Sequence, residues 1–138
     1  MNSISVIVPT LNRPALLLQA VESAARQTQA PLEILVVDDG SAPAVDVAAL
    51  GRAFGGIVRV LRNEQPQGLA WARHQGAAEA RGDYVVQLDD DDLFSPSLVA
   101  DCAAVLDAEP SIELAFIGVK GFGRAAEHFN LFPSVAPA

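Results

Sequence analysis

Basic side chains are scarce in this chain: nine lysines and arginines stand against 17 aspartates and glutamates in 138 residues, a formal net charge of −8. That excludes a nucleic-acid backbone or an anionic membrane surface as the main partner, because both are held by basic patches. It also means that a bound polyphosphate would need a cation or a local arginine to offset the field. One cysteine, Cys102, excludes an internal disulfide and a cysteine-cluster metal site. Two histidines, His74 and His128, lie far apart and form no ligand pair. No apolar run reaches 18 residues, so no bilayer-spanning helix is expected. Met1-Asn2-Ser3 leads into a strand without a basic stretch, so no signal peptide is expected and a cytoplasmic location is the default. Repeats, low-complexity tracts and interior linkers are missing as well. What remains is a chain with 51% hydrophobic and 19% charged residues, one globular domain by length and large enough to bury a core.

Acid is concentrated at particular points. Four consecutive aspartates, Asp89 to Asp92, end the apolar run Tyr84-Val85-Val86-Gln87-Leu88, and a second pair, Asp38-Asp39, ends Glu33-Ile34-Leu35-Val36-Val37. Clustered carboxylates repel and raise each other's pKa. A hard divalent cation such as Mg²⁺ or Mn²⁺ relieves that cost, and it commonly shares its oxygen ligands with substrate phosphates. An isolated acidic run is ordinarily a solvated turn; two of them at strand ends suggest a metal-phosphate site.

The elements alternate. Ile4 to Val8 is a short strand stopped by Pro9. Asn12 is placed to cap a helix on which Leu17, Val21, Ala24 and Thr28 share a face, with Pro14 tolerated in its first turn. Glu33 to Val37 is a strand with the continuous apolar centre of one covered on both faces. A helix over about Ala44 to Phe54 and a weaker strand, Ile57 to Leu61, follow. Gly68 opens a third helix whose inner face carries Leu69, Ala72, Gly76 and Ala80. Tyr84 to Leu88 is the fourth strand. Ser95 and Pro96 start a fourth helix with Leu98, Cys102 and Val105 or Leu106 buried, and Ile112 to Val119 is a fifth strand. This pattern predicts a three-layer α/β/α fold with a mostly parallel sheet. Ligands of such sheets bind at the carboxyl ends of the strands, where strand order switches. Pro9-Thr10, Asp38-Asp39 and Asp89 to Asp92 would converge there.

Four motifs occur in order: Val6-Ile7-Val8-Pro9-Thr10-Leu11-Asn12-Arg13, then Val36-Val37-Asp38-Asp39-Gly40-Ser41, then Gly68-Leu69-Ala70-Trp71-Ala72-Arg73-His74-Gln75-Gly76, and Gly82-Asp83-Tyr84 with Leu88-Asp89-Asp90-Asp91-Asp92. Over about residues 4 to 119 the chain resembles family 2 glycosyltransferases. The resemblance implies a Rossmann-like GT-A fold, with residues 1–120 as its nucleotide-sugar-binding half and 121–138 as a tail or the start of an acceptor half. It also implies metal-dependent transfer, inverting in mechanism, from a UDP-, GDP- or dTDP-sugar to a hydroxyl of a lipid, polysaccharide or protein. By the same resemblance Pro9, Thr10 and the residues to Asn12 lie against the base and ribose, and Asp39 accepts a hydrogen bond from the base. Arg73 lies near the nucleotide or its diphosphate, where a guanidinium pairs well with phosphate. Asp89 and Asp91 fit an Asp-x-Asp metal motif, with Asp91 the direct ligand to Mg²⁺ or Mn²⁺. Asp89 or Asp90 reaches the ribose or a metal-bound water, and Asp92 caps the following turn. Four identical residues leave this register open by one. His74 stands where the family more often has asparagine.

No catalytic base is identifiable: Asp101, Asp107, Glu109, Glu113 and Glu127 lie in no recognisable base motif. Full-length relatives continue further, so the alternative is a non-catalytic nucleotide-sugar-binding module or a truncated fragment, with a sheet edge at the fifth strand that invites a homodimer. A phosphoacceptor signalling domain would want its acid pair after the first strand, where Pro9-Thr10 stands instead. A dinucleotide-binding domain would want G-x-G-x-x-G there.

Overall fold

The computed structural model describes residues 1–123. Its elements alternate as β1 (Ile4–Thr10), α1 (Pro14–Ala25), β2 (Glu33–Asp38), α2 (Val47–Phe54), a 3₁₀ turn (Gly55–Ile57), β3 (Val58–Arg62), α3 (Leu69–Glu79), β4 (Tyr84–Gln87) and α4 (Leu98–Ala108). The four strands pair in the order β3-β2-β1-β4, all parallel. The expected α/β class is therefore what the chain adopts. The first three strands step outward in one direction and β4 returns to the other side of β1, so strand order reverses between β1 and β4. In register, Thr10 stands opposite Asp38 and Asp38 opposite Arg62, while Ile7 stands opposite Gln87. The carboxyl ends thus lie along one edge.

Side-chain alternation sorts β1 and β2 into two apolar faces. Val6, Val8, Ile34 and Val36 pack with Leu17, Ala20, Val21 and Ala24 of α1 and Leu50 of α2. Ile4 on the same side meets Val99 and Ala103 of α4. Ile7 and Val37 face the other way, onto Ala72 of α3. Both strands are buried throughout, which is why their centres are uninterrupted runs of β-branched and leucine residues. α3 comes closest at Gly76, where any Cβ would sit on Ile7 Cγ2 and 3.3 Å from Val37 Cγ2.

Several expected details differ. The second helix begins at Val47 and not near Ala44, because Asp46 caps it by accepting from the Ala49 N–H at 2.9 Å. Asn12 is no helix cap: it holds a left-handed backbone (φ 56°) and Arg13 occupies the cap position. The first helix ends at Ala25, short of Thr28. The fourth begins at Leu98, two residues after Pro96, so its buried stripe is Val99, Ala103 and Leu106 and not Leu98 and Cys102. Leu69 is half exposed, leaving Ala72 and Gly76 as the buried face of α3. The fifth strand does not form. Residues 113–120 make no ladder with any described strand, and Leu114 and Phe116 stay 70% and 92% exposed. β4, not a fifth strand, is the sheet edge on that side among the described residues. Most of the expected tail, with Glu127 and His128, lies outside the described residues. Among those described, no helix is long and apolar enough to cross a membrane.

Because Ile7 and Val37 are rigid, fully buried side chains, Gly76→Ala is expected to lower the unfolding free energy by about 1–3 kcal/mol. Urea denaturation followed by circular dichroism checks this, and an unchanged midpoint would contradict the close packing of α3.

Candidate functional site

The end of β2 organises the carboxyl edge through two buried carboxylates. Asp38, 1% exposed, accepts from the backbone N–H of Ser41 (2.9 Å) and Val45 (3.0 Å) and pairs with Arg62 Nη1 at 2.6 Å. The 39–46 loop is wrapped on this group, with β3 tied in through Arg62. Burial alone would raise the Asp38 pKa, but the N–H donors, the Ser41 hydroxyl and Arg62 together hold it below the usual aspartate value. Gly40 completes the turn at φ +90°, and a Cβ there would lie 2.8 Å from Pro66 Cδ.

Asp39 points the other way. Its own N–H donates to the Thr10 carbonyl at 3.0 Å. Oδ1 accepts from Asn63 Nδ2 (3.0 Å) and the Gln67 N–H (2.9 Å), and Oδ2 accepts from the Gly68 N–H (2.8 Å). A carboxylate therefore sits at the N-terminus of α3, where the helix dipole favours it. Burial again acts upward and is outweighed by these donors, so Asp39 too is held below the usual range. A carboxylate offers about four acceptor positions. Three are filled, leaving room for one further donor.

Asn12 lies in this lattice and not in the acidic cavity. Its N–H donates to Ser41 Oγ (2.9 Å) and its Oδ1 accepts from the Ala42 N–H (2.8 Å), strapping the β1 and β2 loops together. It lines a separate, mostly apolar cavity of about 420 Å³ between α1 and the 41–50 segment. Its backbone N–H and Oδ1 are engaged by the neighbouring loop, and it does not line the acidic cavity.

The four consecutive aspartates divide into distinct roles. Asp89 pairs with Arg73 Nη2 at 2.6 Å. Asp90, 7% exposed, accepts from Thr10 Oγ1 at 2.8 Å and from Arg13 Nη1 at 3.2 Å. Asp91, exposed, shares the same Arg13 nitrogen at 3.1 Å. The Asp92 N–H donates to the Asp89 carbonyl at 3.0 Å and closes the turn. Carboxylate oxygens of Asp89, Asp91 and Asp92 lie within 4.8 Å of one another, a set that could hold a metal ion. Asp92 thus converges with the other acids, and its side chain caps no turn. Protein packed about the Asp92 carboxyl, and then repulsion from Asp91 and Asp89, push its pKa above the usual value. Asp90 falls outside the trio because Thr10 and Arg13 hold it.

Pro9, Thr10, Asp39, Asp89, Asp90 and Asp91 line one cavity of about 380 Å³ at the reversal of strand order, together with Arg13, Pro66, Gly68 and Ala72. Arg73 lines the adjoining cavity and reaches this one through Asp89. His74 is exposed and stacks obliquely beside Trp71 with ring centres 5.8 Å apart. Sequence reasoning missed Arg13 as a site residue, although it is a cation one position past the first loop in a chain short of cations. The Asp90 carboxylate first, through charge and hydrogen bond, and then Asp91 raise its pKa. Also missed were Arg62 and Asn63, which follow a weak strand and carry no motif.

A family model described as glycosyl transferase family 2 matches residues 5–131. A Haemophilus influenzae protein described as an uncharacterized glycosyltransferase is 36% identical over 113 residues, which are 82% of this chain and 37% of that protein. Streptococcus pneumoniae glycosyltransferase GlyG is 34% identical over 97 residues, 70% of this chain and 32% of its own. Among solved structures, S. aureus TarS 1–349 is similar with a TM-score of 0.68 and 29% identity, over 77% of this chain and 32% of that one. The TarS fragment is also known in complex with UDP and with UDP-GlcNAc. The chain therefore spans 32–37% of the length of these relatives.

Asp38→Ala removes the buried ion-pair partner of Arg62 and leaves two loop N–H groups without their acceptor, so it is expected to lower stability by about 2–4 kcal/mol. Asp38 and Asp39 both have folded pKa values below the ordinary 3.8. Their contribution is complete above that value and disappears as pH falls through the lower folded values. Denaturation midpoints should fall as pH drops below about 4, more steeply in the wild type than in Asp38→Asn; equal slopes would contradict the assignment.

Proposed function

The chain belongs to glycosyl transferase family 2, and on that premise we propose that its acidic cavity holds the nucleoside diphosphate of a sugar donor. The protein would then transfer the sugar to an acceptor hydroxyl of a lipid, polysaccharide or protein, with inversion at the anomeric carbon. The observation that carries this reading is the meeting of Thr10, Asp39, Arg13 and the Asp89–Asp92 turn in one cavity at the switch of strand order. Residues 1–120 form the donor-binding portion.

The proposed roles follow from donor and acceptor capacity. Asp39 keeps one acceptor position, suited to the ring N–H of uracil or thymine. Pro9 and Thr10 form the wall against which base and ribose rest. Arg13 and Arg73 already bridge to the aspartates and can turn part of their guanidinium donors onto phosphate oxygens. The Asp89, Asp91 and Asp92 oxygens, within 4.8 Å of one another, are hard ligands of the kind Mg²⁺ and Mn²⁺ prefer. Such an ion would neutralise charge developing on the leaving diphosphate. Asp89 and Asp91 are its principal holders; Asp90 orients Thr10 and Arg13.

A second reading, a nucleotide-sugar-binding module without turnover, is favoured by one observation. The acids lining the cavity are Asp39, Asp89, Asp90 and Asp91, each already paired or hydrogen-bonded as above, so none of these four stands free as a base. Donor hydrolysis by the isolated chain separates the two.

Calorimetric titration with UDP, GDP and dTDP, each with and without Mn²⁺, tests the proposal. One nucleotide is expected to bind in a metal-dependent manner, and Asp91→Ala to weaken that binding on the order of tenfold or more. The exposed Asp91 contributes little to stability, so the variant should keep its denaturation midpoint. Metal-independent binding, or equal binding by the variant, would contradict the assignment of Asp91.

A further inference from the structure

Next to the diphosphate cavity lies a second one of about 360 Å³, and Asp89 lines both. Its walls come from the end of β4, the acidic turn and the 117–122 segment, and they include Arg73, Gln87, Asp92, Phe94 and Lys120. Three buried side-chain polar atoms are without a hydrogen-bond partner among the described residues: Arg73 Nε, Gln75 Oε1 and Gln87 Oε1. All three belong to α3 or β4, and two of their residues line this one cavity. An orphaned buried polar atom carries a desolvation penalty, so two of them at the border of one cavity favour a polar occupant. The orphans are of opposite kind. Arg73 Nε is a donor and Gln87 Oε1 an acceptor. A phosphate or carboxylate satisfies only the donor, whereas a hydroxyl donates and accepts and so answers both.

The wall charges balance, with Arg73 and Lys120 against Asp89 and Asp92. No net field favours an anion. Phe122, 56% exposed, adds an apolar surface against which the C–H face of a sugar ring can rest. Position 87 is where β4 hands over to the acidic turn, and a side chain there lies on the α3 side of the sheet, since Gln87 is in register with Ile7. The terminal torsion of glutamine is soft, so its amide can turn its oxygen onto the cavity it lines.

We infer that this cavity takes the sugar of the donor, that the sugar is a neutral, hydroxylated one, and that Gln87 sets specificity for it by hydrogen bonding a ring hydroxyl. This rests on the nucleotide-sugar reading above. It adds a substrate class and a residue that lies outside all four sequence motifs.

The test compares affinities in the presence of Mn²⁺ for UDP, UDP-glucose, UDP-N-acetylglucosamine and UDP-glucuronate, with the GDP and dTDP series treated alike, in the 138-residue chain and in Gln87→Leu and Gln87→Met. Both variants should bind the free nucleotide within about twofold of wild type, which also reports that they fold. Both should bind the neutral sugar conjugate about fivefold more weakly, the loss expected of one neutral hydrogen bond. Glucuronate should be the poorest ligand of the wild type. If nucleotide and conjugate weaken equally, or neither weakens, Gln87 does not read the sugar and the inference fails alone. Preferential glucuronate binding overturns the neutral class. Failure of the wild type to bind any nucleotide overturns the donor reading and this inference with it.

Discussion

Two adjacent carboxylates at the end of one strand hold the functional edge of this protein in place. Asp38 collects two loop N–H groups and Arg62, and Asp39 collects Asn63 and the N–H groups of Gln67 and Gly68, immediately before α3. Between them they fix the 39–46 loop, the end of β3 and the entry of the third helix. Through Ser41 the lattice extends to Asn12 and so to the loop after β1. Carboxylates are suited to the work because each accepts several donors at once, and charge-assisted bonds are roughly twice as strong as neutral ones. The cavity beside them is therefore held largely by backbone hydrogen bonds.

Across the cavity the same physics is left unfinished. Four aspartates in sequence would repel strongly, and the protein answers only part of that charge. Asp90 is neutralised by Thr10 and Arg13, and Asp89 by Arg73. Asp91 shares one exposed arginine, and Asp92 has no basic partner among the described residues. In a chain of net charge −8, cations to balance the turn are scarce. In the proposed reading a cation carried with a diphosphate would supply that balance, and the anions and the ion would stabilise one another. Arginines 13 and 73 would serve as hinges between resident acid and incoming phosphate.

The order of elements and the parallel sheet were legible because β1 and β2 are uninterrupted apolar runs and each crossover has turn residues at both ends. The convergence of Thr10, Asp39 and the acidic turn followed from topology alone. What escaped was local. Asn12 has the chemistry of a helix cap, but its amide bonds Ala42 across the sheet edge, a long-range partner no window shows. Pro96 and Ser95 satisfy the rules for a helix start, yet α4 begins two residues later, which shifts its buried stripe by one position. Residues 112–119 are apolar enough for a strand, but they do not pair with the open edge of β4. Arg62 and Asn63 became visible only when β3 brought them beside Asp38 and Asp39.

A divalent ion and a nucleoside diphosphate meeting at the Asp89–Asp92 turn is the claim on which the functional reading stands. Paramagnetic broadening of amide resonances by trace Mn²⁺, recorded with and without UDP, tests it most directly. Broadening is predicted to be confined to residues near the turn, including Thr10 and Arg13, to sharpen in localisation when UDP is added and to reach Gly68. Broadening spread over other acidic surfaces, or unchanged by every nucleoside diphosphate, would contradict it.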